Sequence, residues 1–241
     1  MRSDEIKAIF DQMASSYDDQ WGKTTPIRDG LLFLLEAVFA GLPDNARILC
    51  VGAGTGEEIV YLATRFPQWT FAAVDPSSAM LDVCRNKAEK QGFGSRCFFH
   101  EGYLDSLPIK DKFDAATCFL VSQFILEREA RAAFFHAIAE RLRPDGLLAS
   151  SDLASKVGSR EYEATLRIWL NMMASIGIPP EGLERMQAAY AKDVAILPPA
   201  EVASIIKSGG FSDPVIFYQA GLIHAWFTNK ATATLNLNTK R

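Results

Sequence analysis

The sequence predicts an α/β fold: a doubly wound, mainly parallel sheet with helices on both faces. Three observations predict it. Short apolar runs alternate with amphipathic helical stretches from residue 46 to residue 151. A glycine-rich turn separates the first such run from the helix after it. Two adjacent strand-like runs, near 214–218 and 222–228, close the pattern and require one antiparallel strand.

The elements follow in order. Residues 3–19 and 26–41 read as two N-terminal helices; in the second, Leu31, Leu34, Leu35, Val38 and Phe39 recur at helical spacing. Pro43-Asp44-Asn45 ends it as a turn. Strands are expected at 46–51, 70–74, 96–100, 113–119 and 146–151. Helices are expected at 56–66, 77–91 and 127–142, the last stopped by a turn at Arg143-Pro144-Asp145-Gly146. Residues 155–195 are helical in character and carry Tyr162, Trp169, Met172, Met173, Met186 and Tyr190. Another helix, 200–208, ends at Gly209-Gly210, and the closing strands turn at Gly221. The Thr/Asn/Ala-rich tail 230–241 reads as a frayed end, with an added strand or a dimer arm as alternatives.

The 241 residues read as a single domain, with a helical lid over 1–42 and a helical cap over 155–195. Hydrophobic residues make up 49% and charged residues 22%, so the chain can bury a core without disulfide or metal staples. No run approaches the ~20 apolar residues of a membrane span. Met1 to Glu5 is not a basic leader, so the cytoplasm is the expected compartment. A net charge of −4 argues against a stable nucleic-acid complex. Cys50, Cys84, Cys97 and Cys118 form no Cys-x-x-Cys pair and read as reduced, buried thiols.

Residues 48–56, Ile-Leu-Cys-Val-Gly-Ala-Gly-Thr-Gly, lie between a strand and a helix. Gly52, Gly54 and Gly56 allow a tight turn and close approach of a ligand to the backbone. Asp75 ends the second strand, where a carboxylate accepts hydrogen bonds from both hydroxyls of a ribose. A dinucleotide pyrophosphate would sit on the N-terminus of the next helix. Glu57 and Glu58 occupy that turn and would repel it. The expected nucleoside cofactor is therefore S-adenosylmethionine (SAM), with S-adenosylhomocysteine (SAH) as product; a nicotinamide dehydrogenase is the runner-up.

With these residues in place, the chain resembles class I SAM-dependent methyltransferases. The loop 52–56 is similar to their first motif and Asp75 to their second-strand acid. Residues 101–108 resemble the segment bordering adenine, and Leu142 to Gly146 the turn before strand five. Phe10-Asp11, Ala14 and Tyr17-Asp18 resemble the N-terminal lid motif of small-molecule members. The resemblance implies a Rossmann-like, seven-stranded sheet with the last strand antiparallel. It implies cofactor contacts from Gly52, Ala53, Gly54, Gly56, Asp75, Pro76, Gly102, Tyr103, Leu104, Phe119 and Gln123. Two positions depart from the pattern: Cys50 stands where the family usually has an acid, and Tyr103 where it often has another. Residues 119–128 and 217–219 also resemble carboxy-SAM synthase, a tRNA-modification enzyme. Its carboxylate-holding arginine aligns near Gln187 or Ala188, with Arg185 nearby.

Methyl transfer from a sulfonium is an in-line displacement with a good leaving group, so alignment is the enzyme's main task. The sequence carries no triad and no metal-ligand spacing. Ligands of open α/β sheets bind at the carboxyl ends of the strands. Ser122 and Gln123 follow strand four there and Asp152 strand five, and Tyr17, Gln123, Asp152, Trp169 and Tyr190 are the expected pocket residues. Tyr17 and Asp152 are the candidate catalytic residues, Asp152 as a base or as partner of a substrate ammonium. The aromatic and Met stripe of 162–190 reads as core or dimer contact, or as substrate lining. The expected function is methylation of a small-molecule acceptor. The alternatives are a carboxy-SAM synthase-like enzyme and a SAM-binding protein without catalysis.

Overall fold

A computed structural model describes residues 3–232. The chain begins with α1 (Ser3–Met13), α2 (Tyr17–Trp21) and α3 (Thr25–Phe39). The sheet and its crossovers follow as β1 (Arg47–Val51), α4 (Glu57–Arg65), β2 (Thr70–Asp75), α5 (Ser78–Lys90), β3 (Cys97–Glu101), β4 (Phe113–Phe119), α6 (Arg128–Arg141) and β5 (Leu142–Leu153). Then come α7 (Arg160–Ser175), α8 (Pro180–Lys192), α9 (Pro199–Ser208), β6 (Val215–Ala220) and β7 (Ile223–Asn229).

The seven strands form one sheet in the order β3-β2-β1-β4-β5-β7-β6. The strands β1 to β5 pair in parallel, and β7 runs antiparallel to both β5 and β6. The order reverses between β1 and β4, so their carboxyl ends open the crevice where such sheets take ligands. Alternate residues of β1 point to opposite faces. Ile48 and Cys50 pack with Leu35, Phe39, Ile59, Leu62 and Leu81 under α3, α4 and α5. Leu49 and Val51 pack with Phe135, Ile138, Val202, Ile205 and Ile206 under α6 and α9. A third apolar cluster, above the strand ends, gathers α7 and α8.

Local chemistry fixes the crossovers. Ser77 caps α5 by accepting the Met80 N–H, and Ser159 caps α7 by accepting the Tyr162 N–H. Arg96 donates to the carbonyls of Ala63, Phe66 and Trp69, closing the C-terminal end of α4.

Three expectations shift in the structure. The first N-terminal helix is broken at residues 14–16, where the Ser16 hydroxyl and N–H both turn back to the Met13 carbonyl. The turn at 143–146 is present, but as a bulge inside β5, with Asp145 at φ 59°. The tail beyond residue 232 lies outside the described residues. Among the described residues no helix is long and apolar enough to cross a membrane.

Candidate active site

The glycine loop is shaped from both sides. The N–H groups of Gly52 and Ala53 donate to the Val74 carbonyl at 2.8 and 3.1 Å, pinning the loop to the end of β2. Gly52, Gly54 and Gly56 have φ of 69°, 53° and 78°, a region that side chains disfavour. A Cβ at Gly56 would stand 2.2 Å from Cys84 Sγ, and one at Gly52 2.3 Å from a Val121 methyl. At Gly54 nothing lies within 4 Å of that point, so this glycine faces open space. Two of the three glycines therefore serve packing, and the middle one leaves room for a ligand.

Asp75 is 9% exposed. Its Oδ2 accepts the Gly54 N–H and its Oδ1 the Ser77 N–H, each at 2.8 Å. A carboxylate has about four acceptor positions, so two remain for a pair of hydroxyls. Burial pushes the carboxyl up, and the two amides pull it back. Open space at Gly54 beside a half-used carboxylate fits the ribose end of a nucleoside. Pro76 follows Asp75 at the rim, partly buried. Gly102, at the end of β3, is held to the Asp75 carbonyl; a Cβ there would meet Ser106 Oγ at 2.7 Å. Tyr103, beside it, is 50% exposed. Leu104 corrects an expectation. Its side chain belongs to the core under α6, and its carbonyl is taken by Arg141 at 2.8 Å.

The first two helices strap onto this loop. The Ser77 hydroxyl donates to Asp11 at 2.6 Å, and the Thr55 hydroxyl to Asp18 at 2.7 Å. Lys87 pairs with Asp18 at 2.6 Å and also with Glu57, which Arg28 reaches as well. Phe10 meets Phe124 edge-on, 6.0 Å between centroids. The break at Ser15-Ser16 is what lets Asp11 and Asp18 reach opposite sides of the loop.

At the ends of β4 and β5 the structure reassigns two residues. Asp152 is fully buried and does not stand free as a base. Its Oδ1 accepts the Gln123 N–H at 2.8 Å and its Oδ2 the Ser122 hydroxyl at 2.7 Å. Arg131, 1% exposed, brings Nη2 to 2.9 Å from Oδ2 and donates from Nε to Ser122. That Nη2 contact is an ion pair set off the hydrogen-bonding direction. Burial raises the Asp152 carboxyl, opposed first by the Arg131 guanidinium. Gln123 is likewise committed: its side-chain oxygen accepts the Leu153 N–H at 2.7 Å, and its carbonyl the Ala195 N–H. The network ties β4, β5, α6 and the chain returning from α8 into one unit. Phe119 ends β4, and Leu120 beyond it adopts φ 57°, its N–H donating to Ser151.

Above this unit Leu120, Leu153 and Ile223 pack with Trp169, Met173 and Tyr162 of α7, Tyr190 of α8 and Trp21. The Trp169 indole donates to the Tyr190 hydroxyl at 3.0 Å. Burial pushes the Tyr17 and Tyr190 hydroxyls each up to about 12, so neither serves as a base near neutral pH. The Trp21 indole N–H is buried and has no partner among the described residues. No group of three or more metal-ligating side chains occurs among the described residues.

The sequence pointed to the loop, Asp75 and the cap, but missed Arg131, Ser77 and Trp21. An arginine inside the apolar stretch Ala130 to Phe135 was the available signal for a buried ion pair.

Comparison with known proteins agrees with the geometry. A family described as a methyltransferase domain matches residues 48–146, from β1 through the bulge of β5. The chain is 28% identical over 207 residues to a carboxy-S-adenosyl-L-methionine synthase of Campylobacter lari, covering 83% of this chain and 84% of that one. It is 26% identical over 219 residues to a demethylmenaquinone methyltransferase of Roseiflexus castenholzii, covering 88% and 87%. A solved Nostoc punctiforme structure assigned to the O-methyltransferases shares the fold at a TM-score of 0.65 and 16% identity, covering 92% of this chain. This chain spans 60% of that Nostoc chain. The matched domain, the strand order with its antiparallel β7, and the cradle of Gly54 and Asp75 agree: residues 48–146 form a methyltransferase domain, and these findings support a class I S-adenosylmethionine-dependent methyltransferase.

Proposed function

We propose that this methyltransferase acts on a small, largely apolar acceptor carrying a hydrogen-bond acceptor group. The observation that carries the reading is the apolar cluster above the ends of β4 and β5, where Leu120, Leu153, Ile223, Trp169 and Met173 pack with Trp21, whose buried indole N–H has no partner among the described residues. An unpaired buried donor is costly, and an acceptor atom on a ligand removes the cost. When bound, SAM supplies an electrophilic methyl group on a sulfonium. Asp75 holds the ribose end, Gly54 gives the backbone close approach, and Tyr103 flanks adenine. Pro76, Gly102, the Gly52 and Ala53 backbone and Phe119 line the rest of the groove. The strapped first two helices and the cap over 155–195 exclude water and align the acceptor. Asp152 and the tyrosines are not free bases, so the acceptor arrives already nucleophilic.

A relative named a demethylmenaquinone methyltransferase fits this reading. The carboxy-SAM synthase reading needs a cation facing the cofactor from the cap, but Arg185 and Gln187 are exposed on α8. The test is an acceptor screen with apolar phenols, quinols and heterocycles, reading SAH formation. With an accepted compound, Trp21→Phe and Trp169→Ala raise KM about tenfold or more, as loss of a buried hydrogen bond or of aromatic packing implies. SAH affinity stays unchanged. Turnover insensitive to both substitutions refutes this cluster as the acceptor site.

A further inference from the structure

Resting on the SAM assignment, we propose that Asp18 latches the first two helices over the cofactor groove, through Thr55 and Lys87, and that this latch sets how fast SAM enters and SAH leaves.

The chain between residues 10 and 18 crosses the carboxyl ends of three strands. Asp11 meets Ser77 beyond β2, Asp18 meets Thr55 between β1 and α4, and Phe10 meets Phe124 beyond β4. Gly54 and Asp75, bonded to each other, lie between these anchors. Asp75 is only 9% exposed, so a ribose reaches its carboxylate only after the covering segment lifts.

What holds that segment down is largely polar. Neither α1 nor α2 contains a buried residue, and between residues 3 and 21 only Ala14 is buried. Segments with few buried apolar contacts open locally at low cost. Asp18 ties the segment down with both oxygens. Its Oδ1 accepts the hydroxyl of Thr55, which is 3% exposed inside the glycine loop, at 2.7 Å. Its Oδ2 pairs with Lys87 of α5 at 2.6 Å. When Asp18 lifts away, Lys87 keeps Glu57 as a partner, and Arg28 holds Glu57 as well. Opening therefore strands no buried charge, and the pair can reform. The latch uses none of the groups assigned to the cofactor. It favours the closed form equally whether the groove is empty or filled, so it slows entry and exit together and leaves affinity nearly unchanged.

The test compares rates with affinity. SAH dissociation is timed by displacing tritiated SAH with excess unlabelled SAH, and Kd is measured by calorimetry; together they give the association rate. Asp18→Ala speeds dissociation and association alike, each about tenfold or more, as loss of a hydrogen-bonded charge implies, while Kd stays within about threefold. Thr55→Val removes only the hydroxyl and moves both rates the same way, by less. Wild type gives a reading that needs no variant. The Lys87 and Asp18 side chains are 21% and 36% exposed, so salt reaches the pair. Raising salt from about 0.05 to about 0.5 M speeds both rates in wild type and has little effect in Asp18→Ala.

Unchanged dissociation in Asp18→Ala overturns the proposal. So does a Kd raised about tenfold with association unchanged, which makes Asp18 a support of the loop or of the ligand and not a latch. Wild-type rates indifferent to salt overturn it as well, whether or not the variants fold. If wild type binds no SAH, the SAM assignment fails instead.

Discussion

Replacing Asp152 distinguishes a structural ion pair from a catalytic base. In the structure Asp152 and Arg131 are 0% and 1% exposed, with 2.9 Å between charges, and Asp152 accepts from Ser122 and Gln123 as well. Asp152→Ala leaves the guanidinium buried with no counter-ion. Removing one partner of a buried pair costs about 3–5 kcal/mol. For a chain of this size each kcal/mol lowers Tm by roughly 2–4 °C, so a fall of about 6–20 °C is expected. Both charges can instead be removed together. Arg131→Met with Asp152→Leu is expected to recover about half or more of the lost stability, because the pair then leaves no orphan charge. The assay is thermal melting followed by circular dichroism, with SAH affinity measured on each variant at a temperature where it is folded. A catalytic base behaves differently: its loss abolishes turnover while Tm holds. Melting of Asp152→Ala within about 2 °C of wild type refutes the ion-pair argument.

The glycines give a paired prediction. Gly54→Ala, with φ 53° but no atom within 4 Å, carries only the backbone strain of about 1–2 kcal/mol, yet its methyl enters the ligand's space and SAH binding is lost. Gly56→Ala adds a clash with Cys84 Sγ at 2.2 Å to the same strain, so it lowers Tm further than Gly54→Ala. Equal effects of the two on both readouts contradict the division of roles. His224, on β7 opposite Asp152, is held neutral: burial lowers its pKa, opposed by its contact with the Leu222 carbonyl. Its stabilising share is fully present above the unfolded value of about 6.5 and is lost as pH falls below it. The drop in Tm from pH 7.5 to 5.0 is therefore smaller in His224→Gln than in wild type, and an equal drop in both refutes the assignment.

Much of the fold was legible because parallel strands buried on both faces write themselves as apolar runs. Leu49 and Cys50 serve opposite faces, yet both are fully buried. Asp75 was legible because the ribose contact depends on strand order and on chain position after the glycine loop. The role of Asp152 was not. A carboxylate after a strand looks the same in sequence whether it is solvated or paired, and Arg131 lies 21 positions away on another element. The break at Ser15-Ser16 was hidden for a different reason. Serine is compatible with a helix, and tertiary contacts of Asp11 and Asp18 with the loop decide against continuity. Glu57 and Glu58 were read together as two carboxylates that repel a pyrophosphate, and the ion pairs of Glu57 with Lys87 and Arg28 set it apart only in the structure.

The most direct test of the cofactor site is a calorimetric titration of SAH into wild type and Asp75→Ala. Micromolar binding is a typical scale for such a ligand, about −8 kcal/mol. With two acceptor positions of Asp75 assigned to the ribose, the variant is expected to bind about tenfold or more weakly, since hydrogen bonds to a charged group are worth about 1.5–3 kcal/mol. SAH binding unchanged by the loss of this carboxylate, or no SAH binding by wild type, contradicts the site built on Gly54 and Asp75.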